Sequence, residues 1–334
     1  MLKSVYWMAL ALSLAMLVAC ESEEVASPTE NQPAPSAAEV APAAVDEAPV
    51  IEPESMKEDA VDPAIQPALW KIEDQDSRLY LFGTVHLLPP DLVWASEAYQ
   101  AAMLDAPVTV TEANVDDPEV AGKIAALTLQ LGANPPGVKL SDVLGEERYE
   151  RFAKIVGELG LPAESMQPFK PWLATITASV MAIQAQGFDP NSGVDRRITA
   201  QALEEGDELA YLETAESQIR MLASLNEEEM LANFDVTLEQ IADPDAMLNP
   251  LIKAWQQGDM EALERIAIDD LRSTSPEAFE KLLVQRNTNW ADQVQEMLSG
   301  SGNYFIAVGA MHLAGEGSLI DILNDRGVEA DRMQ

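Results

Sequence analysis

Four short apolar runs interrupt a chain whose hydrophobic and polar positions otherwise follow a helical period. Residues 79–82, 108–111, 209–212 and 304–308 are rich in aromatic or β-branched side chains and predict strands. Between Asp116 and Glu205 the apolar residues recur at helical spacing, notably over 146–159 and 172–186, with breaks at Asn134-Pro135-Pro136-Gly137 and Phe169-Lys170-Pro171. A second helical stretch runs from about Ala215 to Ser299. Within it, Ser273-Thr274-Ser275-Pro276-Glu277 combines cap-type polar residues, a proline and an early acid, which predicts the start of a long helix through Trp290. Few strands among many helices predict an α/β fold: a central mixed sheet with a large helical insertion or cap, its strands contributed by both ends of the folded region.

The first 20 residues break this pattern. A short basic start at Lys3 precedes an uncharged apolar run and then small residues around a cysteine, the layout of a secretory signal peptide. Leu17-Val18-Ala19-Cys20 resembles the lipobox of bacterial lipoproteins, which makes Cys20, the only cysteine, the expected lipid attachment point and excludes a disulfide within the chain. Glu21 follows where aspartate is the usual inner-membrane retention signal. The resemblance therefore implies an outer-membrane lipoprotein facing the periplasm. Residues 21–66 are dominated by Ala, Pro, Glu and Val without a period that could bury a face, and are expected to form an extended tether. That leaves 67–334 as the folded domain.

Charge removes one class of partner. The 57 acidic and 20 basic residues give a formal charge of −37, which repels phosphate backbones, so nucleic acid is not an expected partner. A solvated acidic surface accounts for the excess without any special role.

The candidate chemistry starts from the two histidines. They lie in Gly83-Thr84-Val85-His86-Leu87 and Gly309-Ala310-Met311-His312-Leu313, each directly after a predicted strand. With 17 glycines in 334 residues, a glycine three places before a given histidine arises by chance about once in twenty cases, so the repeat points to one shared site. Glycine is expected to let the chain leave each strand in a tight or left-handed bend, after which the histidines project over the sheet's carboxyl edge. The same placement draws in Glu112 and Glu213, each following a predicted strand. Two imidazoles and two carboxylates suit zinc, manganese or iron, whose bound water can supply a hydrolytic nucleophile. Equally, a histidine and a glutamate can do acid–base work without metal. Arg286 and Asn287, in Arg286-Asn287-Thr288-Asn289-Trp290, offer a guanidinium and an amide to a developing oxyanion. Asp195, in Gly193-Val194-Asp195, reads as a cap for the helix that follows.

These segments, together with Leu69-Trp70-Lys71, Leu212-Glu213-Thr214 and Val308 to Gly315, resemble the TraB/GumN family, whose relatives include the Tiki metalloproteases. The family fold is similar to that of the erythromycin esterase and haem-binding ChaN-like group. The resemblance covers roughly residues 69–328. It implies a divalent metal, with manganese, cobalt and zinc as candidates, held by His86, Glu112 and His312, with Glu213 and Asn287 behind them. The setting Thr111-Glu112-Ala113-Asn114 departs from the Glu-hydrophobic-Asp common in the family. Two functions compete at this stage. One is a periplasm-facing, metal-dependent hydrolase of peptides or proteins using His86, Glu112, His312 and Arg286. The other is a haem- or peptide-binding lipoprotein without turnover.

Overall fold

A computed structural model describes residues 65–334. The signal, Cys20 and nearly all of the tether lie outside the described residues. Six strands form one mixed sheet: β1 (Leu69–Glu73), β2 (Ser77–Thr84), β3 (Val108–Thr111), β4 (Glu208–Tyr211), β5 (Gly302–Gly309) and β6 (Asp331–Arg332). Their order is β4-β3-β5-β2-β1-β6. β2, β5, β3 and β4 run parallel, so their carboxyl ends share one edge, while β1 and β6 are antiparallel additions. β5, the last of the four parallel strands along the chain, enters between β2 and β3, and this brings the two Gly-x-x-His segments side by side.

The four predicted strands are all present, and alternation explains why the β2 and β5 segments read as unbroken apolar runs. Tyr80, Phe82, Phe305 and Ala307 face one layer, whereas Leu79, Leu81, Ile306 and Val308 face the other. A parallel sheet covered on both faces buries both sets of positions. On the first face Phe82 meets Trp94, Tyr99 and Phe305 at centroid distances of 5.1 to 6.0 Å. Truncating such a side chain to alanine costs about 3–5 kcal/mol. On the second face the Gln285–Ser299 helix contributes Trp290, Ala291 and Val294, and the Leu319–Asp325 helix contributes Leu319 and Leu323.

The helical insertion has its own core. The helices Leu140–Leu144, Glu146–Glu158, Pro171–Ala185 and Glu227–Ala242 pack Phe152, Val156, Ala178, Phe234 and Leu238 into a cluster separate from the sheet layers. The helix anticipated through Trp290 begins at Pro276, but Ser275 makes no side-chain cap bond; its hydroxyl instead accepts from Asn233. That helix is also not uniform. Residues Glu280–Val284 widen into a π-helical turn just before Gln285–Ser299.

Candidate functional site

Each of the four parallel strands ends one to three residues before a site residue. β2 leads to His86, β3 to Glu112, β4 to Glu213 and β5 to His312, and all but Glu213 are buried to below a tenth of their surface. The β3–β4 ladder continues past the strand ends through Leu212 N–H to Thr111 O and Glu213 N–H to Glu112 O, which sets the two glutamates together. The two motif glycines act through space, not through an unusual bend. Neither has a positive φ. A Cβ on Gly83 would stand 3.1 Å from Ala310, and one on Gly309 would stand 3.3 Å from Glu112 Oε1. Bare backbone at Gly309 also lets its N–H donate to Glu112 Oε1 at 2.8 Å. The bend anticipated there is thus replaced by a need for close approach.

His86 is held by a segment far along the chain. Its loop is pinned to residues 189–194 by Asp189 N–H to Leu88 O and Val194 N–H to Val85 O. The packing is so close that a Cβ on Gly193 would fall 2.3 Å from the His86 carbonyl oxygen. Gly193 is the N-cap of the Val194–Glu205 helix. Asp195 therefore lies inside the first turn, and its side chain does not cap the helix as anticipated. Its Oδ2 sits 2.6 Å from His86 Nδ1, in an ion-pair contact outside hydrogen-bond alignment, and its Oδ1 accepts from the Thr84 hydroxyl at 2.5 Å. His86 Nε2 is left without a partner among the described residues.

Arg286 organises the other half of the site. Nε and Nη2 both donate to Glu213 Oε1, at 3.0 and 2.5 Å. Nη2 also donates to Glu112 Oε2 at 2.6 Å. Nη1 donates to the Leu282 carbonyl at 3.2 Å and to His312 Nε2 at 2.8 Å. A guanidinium has five N–H donors, and these five contacts use them all. The plane lies 4.6 Å from the Trp290 ring centre, and the same ring contacts His312 at 4.4 Å. Leu282 belongs to the π-helical turn, so the widened helix supplies one of the carbonyls that hold the arginine.

The network also fixes protonation. Asn287 Nδ2 donates to Gly317 O, which turns its Oδ1 toward His312 Nδ1 at 2.6 Å. His312 is then the Nδ1–H tautomer, accepting from Arg286 at Nε2. Burial, followed by the Arg286 charge, pushes its pKa down to about 3. His86 goes the other way: burial works to lower it, but Asp195 outweighs that and raises it above its ordinary value. Burial works to raise Glu112, yet the Arg286 charge, with His86 and the Gly309 N–H, outweighs it and holds the carboxyl well below its ordinary value. Glu213 is raised, by burial that Arg286 offsets only in part.

The expected metal was tested against this donor set. Among the described residues no group of three or more His, Cys, Asp and Glu side chains is arranged to hold a metal ion. Glu112 Oε1 and His312 Nε2 are 3.9 Å apart, close enough to share a ligand. However, Arg286 already engages His312 Nε2 and Glu112 Oε2. In this arrangement His86, Glu112 and His312 do not offer a free donor set, and Arg286 has no N–H left for an oxyanion.

The model of the TraB/PrgY/gumN family matches residues 68–332. The chain belongs to this family. It is similar to the uncharacterized protein YbaP of Escherichia coli (strain K12), 25% identical over 245 residues that cover 73% of this chain and 87% of YbaP. YbaP of Shigella flexneri matches with the same identity and coverage. No solved structure matches. In this TraB/PrgY/gumN chain His86, Glu112, Glu213, Arg286, Asn287 and His312 all meet at one edge, joined by two residues that sequence reasoning did not assign there. One is Asp195. The other is Gln218, whose amide nitrogen donates to Glu112 Oε2 at 3.1 Å and to Glu213 Oε1 at 2.9 Å. Its only signal in sequence is a polar residue one turn into the helix that Thr214 caps.

Proposed function

We propose that this protein is a hydrolase of acyl bonds, with peptides as the leading substrate class, in which His86 activates water. The Asp195–His86 pair carries this reading. Thr84 fixes one carboxylate oxygen, the other faces Nδ1, and Nε2 is left free at a sheet edge where open α/β proteins bind ligands. Neutral His86 takes a proton from water at Nε2 as the oxygen adds to the substrate carbonyl carbon. Asp195 stabilises the imidazolium, and the same proton then passes to the leaving amine as the C–N bond breaks. Arg286 does not touch substrate in this scheme. It holds Glu112 and Glu213 beside the reacting groups and fixes the His312 tautomer.

The test is a fluorogenic peptide library assayed with and without chelator, using the wild type, His86→Ala and Asp195→Asn. Loss of a general base lowers turnover by about 10²–10⁴-fold. Turnover unchanged in His86→Ala would remove the proposal. Turnover that chelator abolishes and manganese, cobalt or zinc restores would favour the metal-dependent form of the same reaction. We also propose lipid anchoring at Cys20 with the domain facing the periplasm; the mass of the N-terminal peptide from membranes tests it, and an unmodified cysteine would argue against it.

A further inference from the structure

We infer that Arg286 is the built-in cation of this site, and that while it stays in place Glu112, Glu213 and His312 take up no divalent metal. The inference goes beyond the hydrolase reading and does not depend on turnover. It rests first on saturation. All five guanidinium N–H groups have acceptors, and four of the five contacts go to the carboxylates or imidazole that a metal would need.

It rests second on how firmly the guanidinium is seated. Arg286 is 8% exposed, lies against Trp290, and is tied by Nη1 to the Leu282 carbonyl of the π-helical turn. Withdrawing it would strand two acids in a site shielded from water, and water would have to replace five hydrogen bonds. The supporting contacts point the same way. Gln218 bridges the two glutamates, Gly309 N–H holds Glu112 Oε1, and Asn287 holds His312 with Nε2 aimed at the arginine. These groups pre-orient two carboxylates and one imidazole around a single cation, and in this chain the cation is a side chain.

The complement follows from the same geometry. With the guanidinium gone, two carboxylates and the His312 Nε2 face one small space, with Nε2 and Glu112 Oε1 already 3.9 Å apart. Oxygen and imidazole donors of that kind suit manganese or zinc. Arg286→Gln and Arg286→Met should therefore create metal affinity that the wild type lacks.

The experiment uses the purified protein stripped with chelator and dialysed against Mn²⁺ or Zn²⁺, with bound metal counted by mass spectrometry and affinity measured by calorimetry. The expected result is no stoichiometric metal on the wild type. Both arginine variants should bind at least tenfold more tightly, with the gain removed by adding Glu112→Gln. One equivalent on the wild type that Glu112→Gln or His312→Ala removes would overturn the inference. So would arginine variants that bind no better than wild type. Should both variants fail to fold, the wild-type count alone still decides the first outcome. A protein without hydrolytic activity would leave this result intact, and a metal-binding wild type could still be a hydrolase, so the two proposals fail separately.

Discussion

Replacing Arg286 by glutamine should destabilise the fold in a way that depends on pH. Arg286 is buried and balances buried Glu112 and half-buried Glu213, and breaking a buried pair by removing one partner costs about 3–5 kcal/mol. The direction of the Glu112 pKa agrees: it is held below its ordinary value, chiefly through Arg286 acting against burial. The sign follows from linkage. A carboxylate with a depressed folded pKa contributes stability above its unfolded pKa and loses it as pH falls through the folded value. In Arg286→Gln burial loses its main opposing cation, so Glu112 protonates at higher pH and the deficit shrinks on acidification. Urea denaturation at pH 8 and pH 5 measures both points. A deficit below about 1 kcal/mol at pH 8, or one equal at the two pH values, would refute the assignment of Arg286 as the cation that stabilises this cluster.

Asp195→Asn should lower the His86 pKa, because Asp195 is the group that raises it against burial. The alkaline rise of turnover should then move to lower pH while the plateau falls; an unmoved profile would separate Asp195 from His86. Removing the charge also removes the stability that protonated His86 contributes at acid pH, which in wild type is lost as pH rises through the raised folded pKa. Gly193→Ala should cost at least the upper end of the about 1–3 kcal/mol of an overpacked site, since its Cβ would stand 2.3 Å from a backbone oxygen of His86. Thermal melting checks it, and a shift within error would mean that the His86 loop is not seated on Gly193. Asn287→Ala leaves both His312 Nδ1 and Gly317 O unpaired and should cost about 1–3 kcal/mol; an NMR signal for His312 that stays the Nδ1–H tautomer would show that Asn287 does not set it.

What could be read in the sequence was what depends on near neighbours along the chain. The runs at 79–82, 108–111, 209–212 and 304–308 were legible as strands because they are short and rich in aromatic or β-branched residues, and 79–82 and 304–308 read as apolar throughout because both faces of β2 and β5 are covered. β1 and β6 were not. Leu69–Glu73 is a short edge-side strand, and Asp331–Arg332 is exposed and defined only by pairing with Trp70 and Lys71. The convergence of His86, Glu112, Glu213 and His312 followed from strand ends alone. Asp195 was misread because the cap interpretation uses only local spacing, whereas the deciding fact is that the His86 loop folds onto Gly193 from 107 residues away. Gly83 and Gly309 were correctly marked as special but for the wrong physical reason, since no local feature distinguishes a glycine needed for a bend from one needed for a close approach.

The two Gly-x-x-His-Leu segments look interchangeable in sequence, and their surroundings make them opposite in chemistry. His86 has a carboxylate behind it, so its charged form is favoured over that of a free imidazole. His312 has an amide behind it and a guanidinium in front, so its charged form is suppressed and its tautomer is locked. The groups behind the rings decide this, because each fixes which nitrogen carries hydrogen and whether a second proton is tolerated. A repeated motif thus supplies one imidazole able to move a proton and one that serves as a fixed acceptor for Arg286. That asymmetry is why the hydrolytic reading assigns water activation to His86 alone, and why the inference about the cation turns on the Arg286–His312 side. A symmetric pair of ligands around one metal would need both rings neutral with both Nε2 lone pairs free, and among the described residues the Nε2 of His312 has a partner in Arg286 whereas that of His86 has none.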